Sequence, residues 1–340
     1  MTQPPPLKTA LKRGALLAAA NWPLVLVQFV AEGMLKLLLA VPLVGGIFLV
    51  VLLLGADVEE VLAGDVRQII GSVFLALRAN PAALVAFGAS SLVVMLGGSV
   101  LTFVVKCGTV SVLADADRQA GPIEHPPLRL QGLRKANATG IERFLNGCRR
   151  LWRPYVRLGA CLLIAYAVTA ALYLGFVFGA YSLVENPGVL LGWTAAAFFA
   201  SSALVVWITV MNFLYLLTQM AIAMEDLGVR AGMARVAHFI RTSLREVAGI
   251  FGVVLLLVVV ATVVSILATA GLGLIAFVPF VGLAMVPLQV AAWLLRGVVF
   301  EYLALAALGA YLTQYRHYLH AYAAMPAHGV AEDASGQRFA

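Results

Sequence analysis

Val247-Ala-Gly-Ile-Phe-Gly-Val-Val-Leu-Leu-Leu-Val-Val-Val-Ala-Thr-Val-Val-Ser-Ile-Leu-Ala-Thr-Ala270 contains no ionisable side chain. About 20 apolar residues rising 1.5 Å each cross the hydrocarbon core of a bilayer as an α-helix. Inside lipid a single segment must satisfy its own backbone N–H and C=O groups, and a helix does so. This stretch therefore reads as a transmembrane span, and the chain around it repeats the pattern. Comparable runs lie near 21–56, 81–105, 158–183, 189–224 and 287–315, which makes six spans with the one quoted at 247–270.

The whole composition agrees. Of 340 residues, 62% are hydrophobic and 11% charged, with mean hydropathy +0.97. A soluble domain carries about a quarter of its residues as charges. The expected fold class is thus all-α, a polytopic transmembrane helical bundle. It comprises an N-terminal tail over 1–20, one membrane domain over 21–320 and a flexible tail over 321–340. Lys8, Lys12 and Arg13 precede a short apolar run, too short for a cleaved signal, and a far longer apolar run follows at once.

Between the spans the sequence is punctuated. Pro42, Gly45 and Gly46 mark a kink in the over-long first span. Residues 57–80 repeat Leu62, Val66, Ile69, Ile70, Val73, Phe74 and Leu77 at intervals of three and four, as an interfacial amphipathic helix does. Gly175 and Gly179 form a GxxxG pair, a spacing that lets helix backbones approach closely. Glu185-Asn186-Pro187-Gly188 is a tight turn.

Orientation follows from charge. The tails and the second and fourth loops hold 19 of the 23 Lys and Arg residues. Basic loops stay cytoplasmic, so both termini are expected inside an inner (cytoplasmic) membrane. The net charge of +7 then points to anionic headgroups and not to nucleic acid. Two of the basic segments align without gaps at an offset of 92, matching Gly140, Arg143, Arg149 and Arg153 to Gly232, Arg235, Arg241 and Arg245. Each places its apolar residues on one helical face, so helical hairpins joined by basic elbow helices are expected, with the sixth span in a truncated third unit. Arg143, Arg149, Arg150, Arg153, Arg235, Arg241 and Arg245 are the candidates to face anionic lipid.

The run Ala221-Ile-Ala-Met-Glu225-Asp226-Leu-Gly228, followed by a basic amphipathic helix and another span, resembles a pattern in bacterial six-helix membrane proteins. Those are similar to the membrane domain fused to some glycerophosphodiester phosphodiesterases. The resemblance implies the six-span layout. It carries no phosphodiesterase activity, because the chain has no hydrolase domain.

Charges within spans are expensive, about 2.5 to 3.5 kcal/mol each at mid-membrane, and so are candidates for function. They are Glu32, Lys36, Arg296 and Glu301, with Asn212, Gln219 and Tyr302 as polar residues that could line a path beside Glu301. His317 and His320 sit three apart among Tyr311, Tyr315, Tyr318 and Tyr322, which reads as an aromatic belt and not as a zinc site. Cys107, Cys148 and Cys161 have no metal or redox spacing. No catalytic or cofactor motif is present in the sequence, and no metal or cofactor is expected.

These features favour a non-enzymatic integral membrane protein that organises or contacts lipids or partner membrane proteins, including further copies of itself. A transporter using the intramembrane charges is the alternative, and a lipid-modifying enzyme a weaker one.

Overall fold

The computed structural model describes residues 6–54, 79–125, 130–181, 187–276 and 281–323. Among these the secondary structure is helical, in the order α1 Leu7–Ala20, α2 Trp22–Leu54, α3 Pro81–Gln119, α4 Leu130–Ala136, α5 Ile141–Tyr181, α6 Pro187–Glu225, α7 Val229–Thr242, α8 Leu244–Ala276 and α9 Val281–Ala323. Six of them, α2, α3, α5, α6, α8 and α9, are long and apolar enough to cross a membrane. The amphipathic segment expected over 57–80 falls almost wholly outside the described residues, as does the turn at 185–186.

The described chain divides into two compact units, one containing 27–106 and the other the remaining residues. In the first, Phe87 lies against Gly46 and Leu35 against Gly98, where a Cβ would stand 2.7 Å and 2.5 Å from those side chains. Pro42 is accommodated inside α2, which runs through without a break. Glu32 pairs with Lys106 at 3.3 Å and with Lys36, one turn along its own helix, at 4.0 Å.

The larger unit concentrates its buried residues at the polar ends of its long helices. Val110, Val112 and Leu113 on α3, Leu151 and Tyr155 on α5, Leu217, Met220 and Ile222 on α6, and Leu308, Tyr311, Leu312 and Tyr315 on α9 are all buried. Their apolar ends are open: Leu172, Phe178, Phe198, Phe199, Leu256 and Leu267 are exposed, as a surface meeting lipid would be. In that region α5 and α6 are joined by side-chain hydrogen bonds. Tyr166 donates to Asn212 Oδ1 at 2.6 Å, Trp207 Nε1 to Thr169 at 3.1 Å, and Tyr173 bonds Ser201 at 2.8 Å. Polar pairs of this kind hold helices together where no hydrophobic force can.

Residues 7–20, placed by the sequence reading in a tail, form α1 and pack along α9. The contact depends on glycine. A Cβ on Gly14 would lie 2.2 Å from the Ala306 carbonyl oxygen, and one on Gly309 would lie 2.9 Å from Gly14 Cα. Neither position tolerates a side chain, so the two backbones touch. At Gly175 and Gly179 a Cβ would meet open space. That GxxxG pair brings no helices together within the described chain.

Candidate functional site

Three basic helical segments, α1, the first turns of α5, and α7, gather at the polar end of the larger unit. Each seats on the end of a long helix through a close approach. Gly14 meets α9, and Gly147 meets Ser111 on α3 at 2.6 Å from its would-be Cβ. Gly232 meets Ile222 on α6 at 2.9 Å. α1 and α7 end alike, at Asn21 with φ −112° and ψ 37° and at Ser243 with φ −126° and ψ 35°, each cap N–H bonding the carbonyl four residues back. No such break interrupts α5, which continues unbroken from Ile141 into its span.

This geometry moves the register of the repeat. Gly147 and Gly232 occupy the same kind of crossing, and Arg150 and Arg235 both reach the acids that close α6. The structural offset is therefore 85, seven fewer than the gapless sequence alignment. Seven residues are close to two turns, so either register presents the same face. Counting α1 from Leu7 and α7 from Val229, Arg13 corresponds to Arg235, and Leu17 to Phe239, both fully buried. α1 is thus a third basic elbow ahead of the first span, and each pair of spans has one.

The acids at the helix ends lock these elbows. Arg13 is buried to 3% exposure; its Nε bonds Asp117 Oδ1 at 2.6 Å and its Nη1 bonds Glu124 at 2.8 Å. Its remaining donors reach the carbonyls of Gly121 and Asp117. The other Asp117 oxygen lies 3.0 Å from Arg316 Nη1 as an ion pair, and that nitrogen donates to the Asp117 carbonyl at 2.8 Å. Burial pushes the Arg13 pKa down, but the charge and hydrogen bond of Asp117, reinforced by Glu124, outweigh it and the net direction is up. At α6, Glu225 pairs with Arg235 at 3.2 Å and accepts from Tyr315, while Asp226 pairs with Arg150 at 3.2 Å. Asp226 adopts φ +53°, a left-handed conformation that Asp tolerates better than most residues and that commonly follows a helix C-terminus. Asn21 fastens α1 to the segment after α4, donating to the Ala136 carbonyl and accepting from the Ala138 N–H and the Thr139 hydroxyl.

Six other arginines are not tied to these acids. Arg149, Arg153, Arg157, Arg230, Arg241 and Arg245 are exposed and have no ion pair among the described residues. Arg153 lies over its neighbour Trp152 and Arg143 reaches the Ala138 carbonyl. Beside Arg150 a cleft of about 1100 Å³ opens between α5 and the start of α7.

The intramembrane candidates separate. Arg296 is exposed and lies over Phe300 at 5.6 Å, whereas Glu301 is buried at 8% exposure. Tyr302 donates to the Ala15 carbonyl of α1. Asn212 is engaged by Tyr166, and the Gln219 carbonyl accepts from Tyr155 at 2.8 Å. Asn212 and Tyr302 thus bond other helices through their side chains, whereas Gln219 does so through its backbone and its buried side-chain Nε2 has no hydrogen-bond partner among the described residues. Among the described residues no group of three or more His, Cys, Asp or Glu could hold a metal ion. Sequence reasoning missed Arg13, Asp117 and Arg316 as a cluster. The one available signal was acids closing both the second and the fourth spans, Asp115 and Asp117 in one and Glu225 and Asp226 in the other.

Fold and site together define an all-α integral membrane protein with six candidate spans and an ion-paired assembly of basic helices at one end of its larger unit. No protein-family model matches the chain, and no curated protein or solved structure matches it either.

Proposed function

We propose that this is a non-enzymatic multi-pass protein of the inner membrane, with both termini cytoplasmic, that contacts anionic lipid headgroups and so organises the leaflet or partner membrane proteins around it. The carrying observation is the division of labour among the arginines. Arg13, Arg150 and Arg235 are consumed by internal acids, which fixes the elbows, and the six exposed arginines named above are left facing outward without one. A fixed cationic surface at the edge of the apolar helices is what an anionic leaflet attracts, at about 1 kcal/mol for each cation near it. The layout likeness to the membrane domain of glycerophosphodiester phosphodiesterases fits a module that serves a membrane and performs no chemistry of its own.

The test is thermal unfolding of the full chain in nanodiscs of increasing phosphatidylglycerol content. The melting temperature should rise with anionic fraction, and the gain should shrink in high salt as charges are screened. Replacing Arg149, Arg153, Arg241 and Arg245 together by Gln should remove most of that gain. Equal melting in zwitterionic and anionic discs overturns the proposal.

A further inference from the structure

The cleft beside Arg150 is a concave part of the basic surface. Its lining includes Arg150, Arg157 and Arg230 together with Asp226, and on its apolar side Leu151, Pro154, Ala160 and Cys161. Asp226 is engaged by Arg150 at 3.2 Å, which leaves Arg157 and Arg230 lining the cleft with no ion-pair partner among the described residues. Gly228, the residue before α7, supplies no side-chain hydrogen bond to the first turn of that helix, and Gly228 and the three residues after it line the same cleft. Every polar feature of the opening except the neutralised Asp226 therefore favours an anion.

The position of the cleft along α5 says which kind. Arg157 is the last charged residue before the apolar run of that helix, and Ala160 and Cys161 continue the cleft one turn into it. Beyond them Ile164, Val168 and Leu172 are exposed along the same helix. A ligand whose charge sits between Arg157 and Arg230 has an apolar surface directly beneath it, running toward the membrane. A free anion would leave that surface unused. A volume near 1100 Å³ is also far more than a bare phosphate occupies.

We infer that this cleft is a discrete binding site for a phosphate-bearing membrane lipid, with the phosphate held between Arg157 and Arg230 and the acyl chains lying along Ala160, Cys161 and the exposed face of α5. Two unneutralised guanidiniums match a phosphate monoester, which carries close to two charges at neutral pH, better than a singly charged diester. Bidentate arginine recognition suits phosphate oxygens in either case. The inference rests on the lipid-contact reading above but makes a different demand of it. A diffuse cationic surface attracts lipids by charge alone; a site holds one lipid and saturates.

Native mass spectrometry of the full-length protein, titrated with phosphatidic acid or phosphatidylglycerol, each alone and in competition with phosphatidylethanolamine or inorganic phosphate, separates the two. One phosphatidic acid should be retained at lower concentration than phosphatidylglycerol, with phosphatidylethanolamine and inorganic phosphate failing to compete. Replacing both Arg157 and Arg230 by Gln should weaken that single adduct about thirtyfold, the loss of two cations at about 1 kcal/mol each. Arg149→Gln with Arg153→Gln, outside the cleft, should leave it intact while reducing the nanodisc stabilisation. A variant of normal charge, Ala160→Trp, should also lose the adduct by filling the apolar wall. Cys161 gives a second readout, since it is the exposed thiol while Cys107 and Cys148 are buried. Phosphatidic acid should slow its labelling by maleimide.

Adducts that follow charge alone and persist in the Arg157/Arg230 double variant overturn the site and leave the surface reading standing. Displacement of the lipid by inorganic phosphate at equal concentration overturns the lipid as the occupant. Loss of all anionic preference in the wild type sinks both.

Discussion

Asp117 is the residue on which the basic assembly depends most. It is 1% exposed and its carboxylate meets Arg13 on one side and Arg316 on the other, from helices at opposite ends of the sequence. Removing one member of a buried pair costs about 3 to 5 kcal/mol, because the partner's charge remains without compensation. Asp117→Asn should therefore lower the melting temperature sharply or prevent recovery of folded protein. Asp115→Asn, which breaks only a surface contact to Arg118 at 3.6 Å, should change stability by less than about 1 kcal/mol. Equal melting of the two variants in detergent would show that the buried cluster stabilises nothing. Glu301 poses a separate question at this scale, since it is a buried carboxyl within a span and its neighbour Tyr302 bonds α1. With a role confined to packing, Glu301→Gln should insert normally and keep the anionic-lipid stabilisation. Proteoliposomes should show no proton or ion flux that this substitution abolishes, and observing one would favour a transporter instead.

Helices, once formed, must find their seats, and here glycine decides. α1 lies on α9 with backbone against backbone at Gly14 and Gly309, leaving no room for even one methyl group. Overpacking of a tight contact typically costs about 1 to 3 kcal/mol, and a clash with backbone is harder to relieve than one with a side chain. Gly14→Ala should loosen α1, seen as faster proteolysis within residues 7–20 and a lower melting temperature. Gly175→Ala, facing open space, should do neither. The spans themselves were legible in the sequence because apolar runs such as 247–270 announce themselves locally. The seat of α1 was not, since Gly14 and Gly309 meet across most of the chain and a lone glycine says nothing about its partner. Arg13 was hidden for another reason: a cation ahead of the first span already has a topological explanation, so nothing called for Asp117. The repeat was visible but displaced by seven residues, because an amphipathic helix slid by two turns presents nearly the same face. The crossings at Gly147 and Gly232 and the ion pairs of Arg150 and Arg235 distinguish the two registers.

At the scale of the whole molecule, the gathering of helix ends restricts topology. Arg13 ahead of the first span, Asp117 closing the second and Arg316 closing the sixth share one cluster. Arg118 at the end of the second bonds the Met224 carbonyl at the end of the fourth, and Arg150 ahead of the third reaches Asp226. His238, ahead of the fifth, bonds Tyr318 beyond Arg316. Starts of odd spans and ends of even spans are thus at one end of the larger unit, the alternation that six crossings demand. The same end holds most of the Lys and Arg residues, which by the positive-inside rule supports the cytoplasmic placement proposed above. Reporters that fluoresce only in the cytoplasm should be active when fused at either terminus. An alkaline phosphatase reporter, active only after export, should work when inserted near 185 or near 278 and not near 228. Termini found on opposite sides would require an odd number of crossings and would separate helix ends which the ion pairs of Asp117 hold together, whereas both termini outside would overturn the charge argument alone. The topology assay therefore tests the packing and the charge argument at once, since each requires the same side for both ends.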